Sequence, residues 1–260
     1  MSVNRIYNII ENYYSPMCGD WGNTTSCESS HAIIYPKCNF HCSFCNNDYH
    51  RKDEYSEYDE ETFIATLISL LPKSCHFKFS GGEQTINPYL EKDLSIVKEI
   101  GGYVFLDSNG SRPNVIKNLI EKKYIDVLGI SIKGLTELSA SNTCAVKNTK
   151  LCWDNVFKTL DIASQVEGLR LIVTYVMYNN ANLDTIIEFA NLIKDYPNVF
   201  LKVNNLLHIE HHSTGLEPID RTKFVNMMNQ FVSKNPCWQG RTIAVNTEEA
   251  ITDYNSILFL

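Results

Sequence analysis

Six short runs rich in Val, Ile, Phe and Tyr recur along the chain, separated mostly by amphipathic stretches, and this alternation constrains the fold most. The runs are His31 to Tyr35, His76 to Ser80, Tyr103 to Asp107, Val127 to Ile132, Leu169 to Met177 and Val199 to Val203. Several are continuously apolar, as parallel strands covered on both faces are. Between them, Asp59 is a fitting N-cap for a helix carrying Phe63, Leu67, Leu70 and Leu71, stopped by Pro72. A second helix, from about Pro88 to Ile100, ends at Gly101-Gly102, and Pro113 suits the first turn of a third. Asn155 to Val166, Leu183 to Ile193 and Asp220 to Val232 supply three more. Such alternation predicts an α/β fold with a parallel sheet and right-handed crossovers. A doubly wound open sheet and a partial barrel both satisfy it.

A barrel gathers its polar residues beyond the C-terminal ends of the strands. Strand one runs into Pro36-Lys37-Cys38-Asn39-Phe40-His41-Cys42-Ser43-Phe44-Cys45, and strand two into Ser80-Gly81-Gly82-Glu83. Strand three gives Asp107-Ser108-Asn109-Gly110, and strand four Ser131-Ile132-Lys133-Gly134. The fifth reaches Tyr175, Met177 and Tyr178, the sixth Lys202, Asn204 and Asn205. Parallel α/β folds place their chemistry at this end.

At 260 residues and 44% hydrophobic, the chain buries a sizeable core without disulfides or metals as props. The 30 acidic residues against 23 basic ones argue against broad nucleic-acid binding. No apolar run reaches the ~18 residues of a membrane span. The N-terminus has no signal-peptide pattern, which leads us to expect a cytosolic protein with no membrane association. Nine cysteines are poor material for a disulfide framework in that compartment. Cys38, Cys42 and Cys45 are clustered as CxxxCxxC, while Cys18, Cys27, Cys75, Cys144, Cys152 and Cys237 are scattered. Three thiolates are one short of a closed zinc site; His41 would complete a structural knuckle, giving a non-catalytic zinc protein. The same three holding a [4Fe-4S] cube would leave one iron open to a substrate or cofactor.

With Phe44 just before the last cysteine, and with Gly81-Gly82-Glu83 after the next strand, the sequence resembles the radical S-adenosylmethionine (radical SAM) superfamily from about Ser30 to Asn205. The resemblance implies a partial (β/α)6 TIM-like barrel, in one domain over residues 1–260. Its core would span about 30–205, with an N-terminal segment 1–29 and a C-terminal helical segment 206–260 as additions. Cys38, Cys42 and Cys45 would ligate three irons, and the amino and carboxylate groups of S-adenosylmethionine the fourth. Gly81 and Gly82 would let the backbone approach the methionyl part, their carbonyls and Glu83 accepting from its ammonium. Phe44 would lie near the adenine, and Ser108, Asn109, Ser131 and Lys133 would bind ribose or carboxylate. One electron, from a donor such as flavodoxin or ferredoxin, would release a 5′-deoxyadenosyl radical that takes hydrogen from the substrate.

Each residue also has a plainer reading. Phe44 fits a core aromatic, Glu83 a helix cap, Asn109-Gly110 a turn and Lys133 a solvated surface residue. The other six cysteines read as buried apolar residues, with Cys144 and Cys152 sharing one loop. His208, His211 and His212 beside Glu210 read as solvated. The Asp107-Ser108-Asn109-Gly110 turn and the Ser131-Ile132-Lys133 strand end look like the activating enzymes of glycyl-radical proteins. The match departs where Ser131 replaces an aspartate, and where Cys18-Gly19-Asp20-Trp21-Gly22 stands in place of a glycine-proline-glycine segment. Activation of a glycyl-radical partner protein is therefore the first expectation. The alternative is a tailoring enzyme acting on a ribosomally made peptide or small metabolite, with the long loop Leu135 to Asp154 as lid or docking surface.

Overall fold

The computed structural model describes residues 4–6, 8–13, 30–45, 56–206, 215–246 and 257–259. Cys18, Cys27, the Cys18–Gly22 segment and the His208–His212 group lie outside them. In chain order the strands are β1 (Asn4–Ile6), β2 (Asn8–Tyr13), β3 (Ser30–Tyr35), β4 (Ser56–Tyr58), β5 (His76–Gly81), β6 (Tyr103–Ser108), β7 (Val127–Ser131), β8 (Arg170–Met177), β9 (Val199–Asn205), β10 (Thr242–Val245) and β11 (Ile257–Phe259). The helices are α1 (Glu60–Leu70), α2 (Leu90–Glu99), α3 (Pro113–Glu121), α4 (Glu137–Cys144), α5 (Thr149–Cys152), α6 (Asp154–Ser164), α7 (Leu183–Ile193) and α8 (Arg221–Lys234).

The six expected strands are β3 and β5 to β9, adjacent and all parallel, within a sheet of order β11-β10-β9-β8-β7-β6-β5-β3-β2. The sheet is α/β and does not close, which is the partial barrel expected. β2 joins β3 antiparallel at one edge, while β10 and β11 extend the other edge in parallel. The C-terminal segment is thus not only helical, as expected: beyond α8 it contributes strands. Helix starts follow local chemistry. Asp59 accepts from Thr62 N at 2.7 Å, Asp220 from Lys223 N at 3.0 Å, and Asn182 forms a capping box with Thr185. Pro113 opens α3, and Gly101, at φ +83°, follows α2 where a left-handed residue ends a helix.

Alternation along the strands sorts the two faces of the sheet. Phe77, Phe79, Val104, Leu106, Leu171, Val173, Leu201 and Val203 pack into the helix-side core. The intervening residues face inward. Deep in that interior, Phe105, Val127, Ile172 and Ile243 form a separate apolar layer with Phe200 and Val245. The expected loop Leu135 to Asp154 is instead mostly helical. Thr136 and Ser139 form a capping box that starts α4, and α5 follows within the same stretch.

Candidate active site

The loop after β3 is fixed by the end of β5. Gly82 N donates to Tyr35 O at 2.9 Å, and Glu83 N donates to Lys37 O at 2.8 Å. A Cβ on Gly82 would stand 1.8 Å from Lys37 O, and one on Gly81, at φ +115°, 2.4 Å from Tyr35 O. Both positions demand glycine because two backbones cross there.

Glu83 is fully buried and joins three chain segments. Its Oε1 accepts from Ser108 Oγ at 2.8 Å, from Thr85 N at 3.2 Å and from the Thr85 hydroxyl; Oε2 accepts from Asn109 N at 2.6 Å. Burial pushes its carboxyl up, against the pull of these donors. The plainer reading holds here, since Glu83 caps the short 3-10 turn Gln84–Ile86. Asn109 is equally committed: its Nδ2 donates to Asn39 Oδ1 at 2.8 Å and to Cys38 Sγ at 3.9 Å, while Oδ1 accepts from Ser111 N at 3.0 Å. Ser108 Oγ also accepts from Gly110 N at 3.1 Å. The polar atoms of Glu83, Ser108 and Asn109 thus hold β5, β6 and the cysteine loop together. The side chains of Ser131 and Lys133, by contrast, make no hydrogen bond or ion pair among the described residues. Lys133 lies over the Phe44 ring, 5.6 Å from its centre.

The thiols occupy one partly apolar nest. Cys42 and Phe44 are buried in a cluster with Phe40, Cys144, Cys152 and Leu206, and Cys38 and Cys45 pack against it. Cys144 and Cys152 stand far from the motif in sequence, and the fold brings them to it. His41 N donates to Cys144 O and Ser43 N to Thr143 O, both at 2.9 Å, so the end of α4 braces the cysteine loop. The Cys144 thiol hydrogen-bonds to Cys42, which holds Cys42 below and Cys144 above the usual thiol range. Burial raises Cys38 to about 12, and Phe40 N donates to its sulfur at 3.4 Å. Burial lowers Lys133, but the thiols of Cys42, Cys144 and Cys45, with Asp107, outweigh it and keep the ammonium charged. Among the described residues, no three His, Cys, Asp or Glu side chains close on a single-ion site. Three thiols on one strand-end loop, with N–H donors to sulfur and an ammonium close by, fit a thiolate-ligated iron–sulfur cluster.

Inward and below this mouth lie charges outside the cysteine and glycine motifs. Lys78 on β5 and Asp107 on β6 pair at 3.2 Å, and Lys78 Nζ lies 5.0 Å from the centre of the Phe105 ring. Lys202 on β9 is in the electrostatic reach of both. The signal was present as a lysine between Phe77 and Phe79, and another between Leu201 and Val203.

An open parallel half-barrel carrying a thiol triad at its strand-end mouth defines an enzyme scaffold for iron–sulfur chemistry. The profile of the radical SAM superfamily matches residues 32–193, well over half of the chain, and the chain belongs to that superfamily. Its members use a [4Fe-4S] cluster and S-adenosylmethionine. An S-adenosyl-L-methionine-dependent tRNA 4-demethylwyosine synthase of Methanocaldococcus jannaschii is 27% identical over 152 residues, 58% of this chain and 46% of that protein. A protein of the same organism, described as a glycyl-radical enzyme activating enzyme, is 32% identical over 111 residues, 41% of this chain and 44% of its own. The chain spans somewhat under half the length of these relatives. Streptococcus suis SuiB bound to S-adenosylmethionine superposes with a TM-score of 0.65 at 13% identity, over 84% of this chain and 52% of SuiB. That likeness is one of fold.

Proposed function

We propose that Cys38, Cys42 and Cys45 hold the cluster and that the enzyme takes a hydrogen atom from a glycine of a partner protein. When bound, the cluster and S-adenosylmethionine together supply the radical chemistry. The observation that carries the reading is the thiol loop, braced by Glu83, Asn109 and the end of α4, beside an ammonium that favours thiolates. Ser131 and Lys133, whose polar groups are uncommitted, are assigned to S-adenosylmethionine, with the backbone of Gly81 and Gly82 alongside. Phe44, under the Lys133 ammonium, flanks the adenine. Glu83, Ser108 and Asn109 act by fixing the cysteine loop, and so reach the ligand through it. The glycine substrate is supported by the likeness to a glycyl-radical activator and by the Asp107-Ser108-Asn109-Gly110 turn.

An electron donor such as flavodoxin or ferredoxin belongs to this reading, as does a cytosolic setting. Among the described residues no helix is long and apolar enough to cross a membrane. The test is anaerobic reconstitution with iron and sulfide, then dithionite and S-adenosylmethionine, with 5′-deoxyadenosine as readout. Cys42→Ala should abolish both cluster colour and cleavage while the circular dichroism of the barrel persists. Cleavage by that variant would refute the assignment. A glycyl radical signal in the partner, seen by electron paramagnetic resonance, tests the substrate; its absence with every candidate partner would remove the activase. Tailoring of a peptide or small metabolite is the second reading, favoured by the charged interior below the mouth.

A further inference from the structure

Moving two residues toward the mouth along β6, β8 and β9 turns the inward face from apolar to polar. Phe105 gives way to Asp107 on β6, Ile172 to Thr174 on β8, and Phe200 to Lys202 on β9. On β7 the corresponding residue is Gly129, where a Cβ would lie 2.7 Å from both Asp107 Oδ1 and the Phe105 ring. The apolar layer is thus a floor, and a polar tier rests on it.

Among the described residues the charges of that tier do not cancel. Lys78 is matched by Asp107 at 3.2 Å, and the Lys133 ammonium faces the thiols. Lys202 is 8% exposed, and its ammonium makes no hydrogen bond or ion pair among the described residues. One residue pair closer to the mouth, Asn204 Oδ1 is buried and accepts no hydrogen bond among them. A buried ammonium and a buried amide oxygen without partners are each costly unless something else completes them. Asp107 is densely surrounded, yet its side chain is 28% exposed, so it borders an opening. Burial and the neighbouring Lys78 pull Lys202 down to about 8, against the pull of Asp107. A group held that way gains from an arriving anion.

We propose that this tier receives a carboxylate carried by the substrate, held by Lys202 with Lys78 beside it, while Asn204 accepts from a donor on the same ligand. One uncompensated positive charge matches one carboxylate, and a phosphate monoester would bring more negative charge than the tier neutralises. The carboxylate is that of a free small acid or that of an acidic side chain in a presented peptide. The inference rests on the hydrogen-abstraction reading, because it places this group beneath the cluster loop.

The probes are sodium pyruvate, acetamide, inorganic phosphate, and the peptides acetyl-Gly-Glu-Gly-amide and acetyl-Gly-Gln-Gly-amide, added to anaerobic holoenzyme and followed by saturation-transfer NMR. Pyruvate binding without the glutamate peptide indicates a free acid; binding of the glutamate peptide but not its glutamine counterpart indicates a side chain. Lys202→Met should weaken the carboxylate probe about tenfold or more, and Lys202→Arg should retain most of the binding. Asp107→Asn removes the competing carboxylate and should tighten binding, a gain that misfolding cannot produce. Equal binding of acetamide, preference for phosphate, or no binding by any acid overturns the inference, as does indifference to both Lys202→Met and Asp107→Asn. Formation of 5′-deoxyadenosine by the wild-type holoenzyme without any probe tests the radical reading separately. Cleavage without acid binding defeats only the carboxylate site; acid binding without cleavage defeats only the radical reading.

Discussion

Replacing Glu83 by glutamine changes one atom type in a fully buried group and tests whether that carboxylate is the strut of the mouth. Four donors converge on it: Thr85 N, the Thr85 hydroxyl, Ser108 Oγ and Asn109 N. The two hydroxyls rotate and become acceptors for an amide NH2, but the two backbone N–H groups cannot. With the amide nitrogen in the Oε2 position it faces Asn109 N; in the Oε1 position it faces Thr85 N. Either orientation sets two donors against each other and leaves one buried N–H unsatisfied, at ~1–3 kcal/mol. Losing charge-assisted bonds adds to that, and relief of carboxylate desolvation subtracts, so the net expectation is about 2 kcal/mol. If the strand end opens locally, the Asn109 amide should exchange with solvent roughly 30-fold faster, each 1.4 kcal/mol being tenfold. Hydrogen exchange read at Asn109, together with the urea midpoint of the cluster-free protein, measures both. Unchanged exchange at Asn109 would refute the strut. An equal acceleration in the helix-side strands would show a global rather than a local role.

Gly82→Ala puts a methyl group 1.8 Å from the Lys37 carbonyl, which cannot yield as a side-chain tip would, and should cost about 3 kcal/mol by thermal melting. A melting temperature equal to wild type would contradict the backbone crossing. Cys144→Ala removes the donor to Cys42 and should slow cluster reconstitution, while Cys144→Ser, which keeps a donor, should reconstitute at nearly the wild-type rate; identical rates for both would mean that Cys144 only packs. Lys202, with an ordinary value of 10.5 lowered to about 8, sheds its proton in the folded state first. Below pH 8 the folded chain carries the whole penalty of that buried charge, between Lys78 and Asp107, and stability should rise with pH from about 8 toward 10.5, by at most on the order of 3 kcal/mol. Urea midpoints across that window should lose this rise in Lys202→Met, and a parallel rise in the variant would assign it to other groups.

Local chemistry made the β/α core legible. Asp59, Asn182 and Asp220 cap their helices with side chains that the sequence displays, and the strands between are apolar enough to announce themselves. The missed elements lack such signals. α4, Glu137-Leu138-Ser139-Ala140-Ser141-Asn142-Thr143-Cys144, has no apolar stripe; a capping box starts it and the cysteine loop holds its far end. β10 is four residues long, too short a run to show a strand pattern. The position of the site was legible because every core strand empties into polar residues. The division of labour among them was not, because Asn109 facing a ligand and Asn109 tying Asn39 to Ser111 look alike in one dimension. Cys144 and Cys152 were hidden for the same reason: their approach to Cys42 is set by a helix that the sequence does not announce.

The interior of a closed eight-stranded barrel is filled by layers of packed side chains. Here the sheet stops short of closure, and only the lower layer, Phe105, Val127, Ile172 and Ile243, is packed in that way. The tier above exchanges apolar contacts for Asp107, Thr174 and Lys202, groups that gain little by packing on one another. Such a tier adds nothing to stability that a leucine would not add more cheaply, and Lys202, buried between another lysine and an aspartate already paired, weakens it. A cost borne at the inward positions nearest the cluster loop, and absent from the helix-side face of the same strands, is the pattern of a site kept for a ligand. Under the proposed carboxylate site, the substrate would be selected by charge at depth rather than by apolar area at the rim. Changes to the exposed mouth should then alter affinity less than the single step from Lys202 to methionine.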